Sequence, residues 1–345
     1  MIHENNRRQF LGNASVLGAA ALMSALPLIA HSQQAEHVFK FSHGEPADSS
    51  MGKSADFFAS ALAKRSSGRI KVDVFPSGQL AGGGDLRLEL ERVQLGVIDI
   101  TSSAGTLYFT TFDPRFNIVQ LPYLFRDDAA YLRYIRTAPT AQAMLSAVEK
   151  QGFKALTFWP RPNRQLTNSK RSIRTPADMK GLKVRLPPVE ILTDSFSAFG
   201  ASPVAMAYGE LYTAMQNGTV DGQDNAVELM WSSKFYEVQK FLTRIDYARD
   251  ALMPSMNKRK FDALAPDLQK AVLDAAIDAA AFRLEYDRSN EERFQGLLKE
   301  KGVEITVLSA AEKEAFRTAS RPVYEKWSRK LGKPFFDQVI AEASL

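Results

Sequence analysis

Arg164 and Arg185 are the side chains of this sequence best suited to chemistry, and the chemistry they suit is anion capture. Arg185 ends a short alternating run, Lys183-Val184-Arg185-Leu186, just before Pro187-Pro188. The carboxyl edge of a parallel sheet faces the ligand crevice of an open α/β fold. An arginine there can hold a carboxylate through two parallel hydrogen bonds, strengthened when a cleft excludes water. Position alone also allows a plain surface ion pair. Farther on, Val220-Asp221-Gly222-Gln223-Asp224-Asn225 reads as a polar loop on the hinge side. Asp221, Asp224 and Glu228 lack the spacing of a calcium loop, so no metal site is expected. Trp159, Tyr208, Trp231 and Tyr236 could wall a ligand or simply pack. Glu190 and Asp194 could be paired carboxylates, but with no nucleophile or sugar-cleaving signature nearby they read as a solvated helix face.

Composition removes most catalytic options. The chain has no cysteine and four histidines, two of which, His3 and His31, fall in a leader segment. His37 and His43 alone remain for a Ser-His-Asp or Cys-His nucleophile or a zinc site, so no catalytic residue and no cofactor are expected. Gly82-Gly83-Gly84-Asp85 precedes a helix, and Gly52-Lys53-Ser54 nearly completes a phosphate-binding loop, but Ala47 stands where its first glycine belongs. Both read as helix N-terminal turns. The net charge of +5 is small and dispersed, without the basic stripe of a nucleic-acid binder.

The leader carries Asn6-Arg7-Arg8-Gln9-Phe10-Leu11, a weakly apolar stretch over 14–30 and a small-residue exit, Ala30-His31-Ser32. This is the pattern of a twin-arginine signal peptide over residues 1–32, cleaved near Ser32, and it predicts a periplasmic mature chain. After Gln33 the pattern is strand, helix, strand. Residues 38–42, 69–75 and 97–101 read as strands, and 51–65 and 85–95 as helices. Residues 155–159, 182–186 and 203–207 repeat the strands, with helices over 189–199 and 209–217. The class is α/β with two lobes, the strands paired in parallel through right-handed crossovers. Residues 267–301 contain one glycine and no proline, and predict one helix of about 50 Å, long enough to brace both lobes.

Several blocks then resemble a known family. They are Phe75-Pro76-Ser77-Gly78-Gln79-Leu80, Arg164-Gln165-Leu166-Thr167-Asn168-Ser169, and Pro176-Ala177-Asp178-Met179-Lys180-Gly181-Leu182-Lys183-Val184-Arg185. Gly200-Ala201-Ser202-Pro203, Glu210-Leu211-Tyr212-Thr213-Ala214-Met215-Gln216, Val220-Asp221-Gly222-Gln223 and Lys234-Phe235-Tyr236-Glu237-Val238 follow in order. Together they resemble the DctP-type solute-binding proteins of TRAP transporters. The resemblance implies a periplasmic-binding-protein-like fold with a central ligand cleft. Lobe I would comprise 33–160 and about 250–290, and lobe II 161–249 and about 291–318, followed by a C-terminal helical segment over 319–345. It implies a monomer that closes on a small organic acid and delivers it to sodium-coupled membrane subunits, without catalysis. Arg185 would bind the ligand carboxylate, Arg164 and Asn225 would line the pocket, Tyr208 would lie over the ligand, and Trp159 is a further wall candidate. The family's Gln-Glu-Asn-Pro reads Gln223-Asp224-Asn225-Ala226 here, a departure that bears on Asn225. Ser102-Ser103-Ala104-Gly105 replaces the glutamate and arginine of sialic-acid-binding members, which argues against that ligand. Sugar acids, C4-dicarboxylates, 2-oxo acids and aromatic acids stay open. Delivery to a sensor kinase and an exported hydrolase or lyase are the alternative functions.

Overall fold

The computed structural model describes residues 35–82, 85–102 and 106–345. The twin-arginine segment, most of the triglycine turn and residues 103–105 lie outside the described residues. The strands are β1 His37–Ser42, β2 Ile70–Phe75, β3 Ile100–Thr101, β4 Phe153–Ala155, β5 Trp159–Pro160, β6 Gln165–Asn168 and β7 Lys183–Leu186. They continue as β8 Ser202–Ala205, β9 Gly222–Asn225, β10 Phe241–Arg244, β11 Ala251–Leu252, β12 Ser255–Asn257 and β13 Glu304–Val307. One sheet has the order β2-β1-β3-β12-β4, and a second has the order β13-β10-β6-β9-β7-β8. β5 and β11 form a two-stranded pair between them in sequence. β1 is parallel to β2 and β3, and β7 is parallel to β8 and β9, as helical crossovers require.

The first sheet is built from alternating residues, with Phe39 and Phe41 of β1 and Ile70 and Val72 of β2 buried beneath the helix Ser50–Arg65. Ser49 caps that helix through its hydroxyl, which accepts the Gly52 N–H at 3.1 Å. Gly52 is there for space: a Cβ would sit 2.2 Å from the Ala47 carbonyl oxygen. It lets the 45–49 turn lie close against the helix start, which is the physical reason for a glycine in a sequence that only mimics a phosphate loop. The Pro76-Ser77-Gly78 turn holds the same segment from the other side. The Ser77 and Gly78 N–H groups donate to the carbonyls of Glu45 and His43, both at 2.9 Å.

The helix Pro266–Glu300 spans nearly the whole predicted stretch. Its Leu268, Ala271, Val272, Ala275, Ala276 and Ala279 enter the core of the first sheet, whereas Phe294 and Leu298 pack with Leu211, Met230 and Leu242 beside the second. Three further helices, Ala310–Ala319, Arg321–Leu331 and Lys333–Ser344, complete the chain. Glu190 and Asp194 meet them: Lys326 pairs with both, and the Trp327 indole donates to Asp194 at 2.9 Å. They serve as a docking face, more than a solvated one. Among the described residues no helix is long and apolar enough to cross a membrane.

Four expectations need correction. The pairing is not parallel throughout: β12 runs antiparallel to β3 and β4, and β6 antiparallel to β9 and β10, because these strands belong to segments that cross between the sheets and not to strand-helix-strand units. The run over 155–159 is two strands, β4 and β5, because the chain leaves one sheet at Ala155 and re-enters pairing at Trp159. The 97–101 strand pairs only over Ile100–Thr101, since Val97 and Ile98 are still closing the preceding helix through the Arg92 carbonyl. The polar loop over 221–228 is strand β9 followed by the helix Val227–Ser232. β9 is central and fully buried despite the sequence Gly-Gln-Asp-Asn, because its neighbours supply polar partners for every side chain that hydropathy would exclude.

Candidate functional site

Arg185, Gln223 and Thr167 lie in one row across β7, β9 and β6. The row exists because Gly222 allows β9 to approach β6 closely; a Cβ there would lie 2.2 Å from the Thr167 carbonyl oxygen. Gln223 donates to the Thr167 hydroxyl at 2.8 Å and accepts from the Asn225 amide at 2.6 Å. Arg185 is only 2% exposed. Its Nε and Nη2 donate to the Met206 carbonyl at 2.9 and 2.7 Å, and its guanidinium carbon lies 5.8 Å from the centre of the Tyr208 ring. The Met206 carbonyl thereby fixes the plane of the guanidinium fork. The Tyr208 hydroxyl pairs with Ser233 at 2.5 Å. Burial and the Glu45 carboxylate raise its pKa, and Arg185 acts on it in the opposite sense.

Arg164 occupies a different position in the network from the one its motif suggested. Its Nε donates to Asp224 Oδ2 at 2.5 Å, and its Nη2 to Asp224 Oδ1 at 2.9 Å and to the Asp224 carbonyl at 2.8 Å. Tyr247 also donates to Asp224. Burial opposes the Arg164 charge, but Asp224 outweighs it and holds the guanidinium pKa well above its usual value. Nη1 reaches Asp250 at 3.4 Å, and Arg161 bridges Asp250 at 3.3 Å to Glu45 at 3.2 Å. The result is a buried series of alternating sign, Glu45, Arg161, Asp250, Arg164 and Asp224. Asn225 sits at its end, its Oδ1 3.5 Å from Arg164 Nη2.

The structure thus groups Arg185 with Tyr208, and Arg164 with Asn225, joined through Gln223. Trp159 is elsewhere: it is fully buried between Phe41 and Phe58, and its indole donates to the Ala276 carbonyl at 2.9 Å. It packs the first sheet onto the long helix. Ala226 replaces the family proline with φ −62°, a value that proline also holds, so the departure keeps the backbone that presents Asn225.

Sequence reasoning missed Ser42, Glu45, Arg161 and the partner role of Asp224. Ser42 Oγ, Glu45 Oε2, both ring nitrogens of His43 and Ser232 Oγ are buried with no hydrogen-bond partner among the described residues. Burial lowers the His43 pKa despite Glu45 and Asp56, so the imidazole is neutral. Glu228 accepts the Ser50 N–H at 3.1 Å, joining the helix after β9 to the start of the helix after β1. Burial first, then Glu45 and Asp287, push the Glu228 pKa up to about 8. Leu90, Leu107, Thr111, Pro188, Val189 and Ala207 are among the residues that line a cavity of about 570 Å³. Pro188 and Val189 directly follow the end of β7, so the cavity opens at the carboxyl edge of the second sheet.

Two α/β sheets joined by crossing strands and a long helix, with charged side chains gathered between them, define a two-lobed binding protein. The profile of "bacterial extracellular solute-binding protein, family 7" (DctP) matches residues 41–330. The chain belongs to this family. It is 31% identical over 300 residues to the 2,3-diketo-L-gulonate-binding periplasmic protein YiaO of Escherichia coli strain K12, covering 87% of this chain and 89% of that one. A TRAP periplasmic solute-binding protein of Polaromonas sp. JS666, bound to D-erythronate, superposes with a TM-score of 0.82 at 31% identity, covering 88% and 98% of the two chains. A sugar-acid-binding protein of Advenella mimigardefordensis in complex with galactonate gives a TM-score of 0.84 at 30% identity, covering 90% and 98%.

Proposed function

We propose that this chain is a periplasmic receptor that captures a small organic acid by closing its cleft and delivers it to a TRAP-type, sodium-coupled transporter. It acts as a monomer and catalyses no reaction. The observation that carries this reading is the buried Arg185 fork at the carboxyl end of β7, oriented by a backbone carbonyl beside Tyr208. A carboxylate there would exchange water for charge-assisted bonds inside a low-dielectric cleft. The ligands named for the erythronate and galactonate complexes are acids of this kind. In this account Asn225 and Gln223 extend the polar floor, Tyr208 supplies an aromatic wall, and Arg164 holds the floor together through Asp224.

A thermal-shift and calorimetric screen of the mature chain from residue 33 against small carboxylates tests the reading. A ligand at 100 times its Kd adds about 2.7 kcal/mol of stability, which such a screen detects. At least one organic acid should bind, and the radius of gyration should fall on binding as the lobes close. A panel in which no acid shifts the melting temperature would oppose the proposal. Export through the twin-arginine route predicts that replacing Arg7 and Arg8 together by lysine leaves uncleaved precursor in the cell; unchanged periplasmic mature protein would reject that route.

A further inference from the structure

One hydrogen bond ties the layer on the first sheet directly to the layer on the second. The helix Val227–Ser232 follows β9, and its Val227 and Met230 pack with Leu211 and Leu242 beside the second sheet. Glu228 of that helix is 7% exposed and accepts the Ser50 N–H at 3.1 Å. Ser50 opens the helix Ser50–Arg65, whose Met51, Ala55, Phe58 and Leu62 belong to the core of the first sheet. The first N–H groups of a helix have no partner within it, and this one takes a carboxyl from 178 residues away.

Among the described residues no lysine, arginine or histidine forms an ion pair with Glu228. Glu45, in the turn before Ser50, and Asp287, on the long helix, oppose a further negative charge there, and Arg283 of the long helix favours it more weakly. Arg161 after β5, Tyr208 and Tyr286 are the other titratable groups that face it, while Asp48 and Lys53 beside the helix start are exposed. One N–H at a helix terminus offsets less than it costs to bury a carboxylate without a cation, so the buried form is the neutral acid, accepting through its carbonyl oxygen. If the sheets part at the cleft, Ser50 and Glu228 separate into water, and the carboxyl ionises at neutral pH as an ordinary glutamate does. We propose that Glu228 is a positioning residue that latches the closed cleft in its protonated form, so that ligand capture takes up a proton and weakens as pH rises. The inference rests on the reading of the cleft as a receptor that closes on a carboxylate.

The test is calorimetry of the mature protein with D-galactonate or D-erythronate from about pH 5.5 to 7.5, in buffers of different ionisation enthalpy. Both acids stay ionised over that range. Between the ordinary 4.5 and the raised value of about 8, wild type should take up about one proton on binding. Its affinity should fall at least about tenfold over those two pH units, within the limit of about tenfold per unit that one proton sets. Glu228→Gln keeps the acceptor without the charge; it should take up no proton and hold its affinity. Glu228→Leu strands the Ser50 N–H and should bind about fivefold or more weakly than Glu228→Gln throughout. Small-angle scattering without ligand should give wild type a larger radius of gyration at about pH 8.5 than at about pH 5.5, and Glu228→Gln the same radius at both. No proton uptake by wild type, or equal uptake by a folded Glu228→Gln protein, would overturn the latch. Should neither acid bind, scattering alone decides, and an equal wild-type radius at the two pH values would overturn it. Should no carboxylate of any kind bind, the receptor reading fails, with the latch judged separately by scattering.

Discussion

Arg164→Met should destabilise the protein severely, and more so at high pH. The substitution removes both side-chain bonds that Arg164 makes to the Asp224 carboxylate, at 2.5 and 2.9 Å, and leaves Tyr247 as its remaining donor. Arg164 is 3% exposed and Asp224 fully buried, so water cannot replace the guanidinium cheaply. Breaking one side of a buried pair costs about 3–5 kcal/mol. An independent bound comes from letting the stranded carboxylate take up a proton. For an acid of ordinary pKa ~3.9 at pH 7 that costs about 4 kcal/mol, at 1.36 kcal/mol per unit. At pH 5 the same escape costs only about 1.5 kcal/mol. The loss measured by urea unfolding should therefore approach about 4 kcal/mol at pH 7 and shrink by about half or more at pH 5. Adding Asp224→Leu to Arg164→Met should recover much of it, since no uncompensated charge then remains. A loss below about 1 kcal/mol that does not vary with pH would refute the buried-pair reasoning.

Glu228, with its pKa pushed up to about 8 from an ordinary 4.5, contributes stability that is complete below pH 4.5 and lost as pH rises through about 8. Glu228→Gln mimics the protonated form, so it should match wild type near pH 4.5 and exceed it at pH 8. Its stability profile should lack up to about 1.4 kcal/mol per pH unit of the wild-type decline; parallel profiles in urea melts would reject the assignment. Gly222→Ala should lower stability by at least about 2 kcal/mol, because its Cβ would meet a backbone oxygen at 2.2 Å between two paired strands. An unchanged melting temperature would show that β6 and β9 separate freely.

The elements whose burial is apolar could be read from the sequence alone. β1, β2 and the helix after β1 followed from alternating or helically spaced hydrophobes, and the long helix from its Ala, Leu, Glu and Lys content. β9 could not be found in that way. Its burial depends on Arg164, Thr167 and Tyr247, residues up to 60 positions away whose proximity only the fold establishes. Arg185 was singled out by its place at a strand end together with the family blocks, and Arg164 by its motif, but the motif could not say that Arg164 is held by Asp224. Trp159 shows the reverse error: an aromatic side chain near candidate ligand residues in sequence turned inward, because its strand pairs with β11 under the long helix. Glu45 left little local signal beyond its position after β1.

The central claim is that Arg185 anchors the ligand carboxylate. Isothermal titration of wild type, Arg185→Ala and Arg185→Lys with one confirmed acid tests it most directly, with ligand-free melting as the control for folding. Loss of one member of the pair costs about 3–5 kcal/mol, so Arg185→Ala should weaken binding by roughly 10²–10⁴. Arg185→Lys should bind poorly as well, since an ammonium lacks the planar fork held at the Met206 carbonyl. A folded Arg185→Ala protein that binds within a few-fold of wild type would contradict the account.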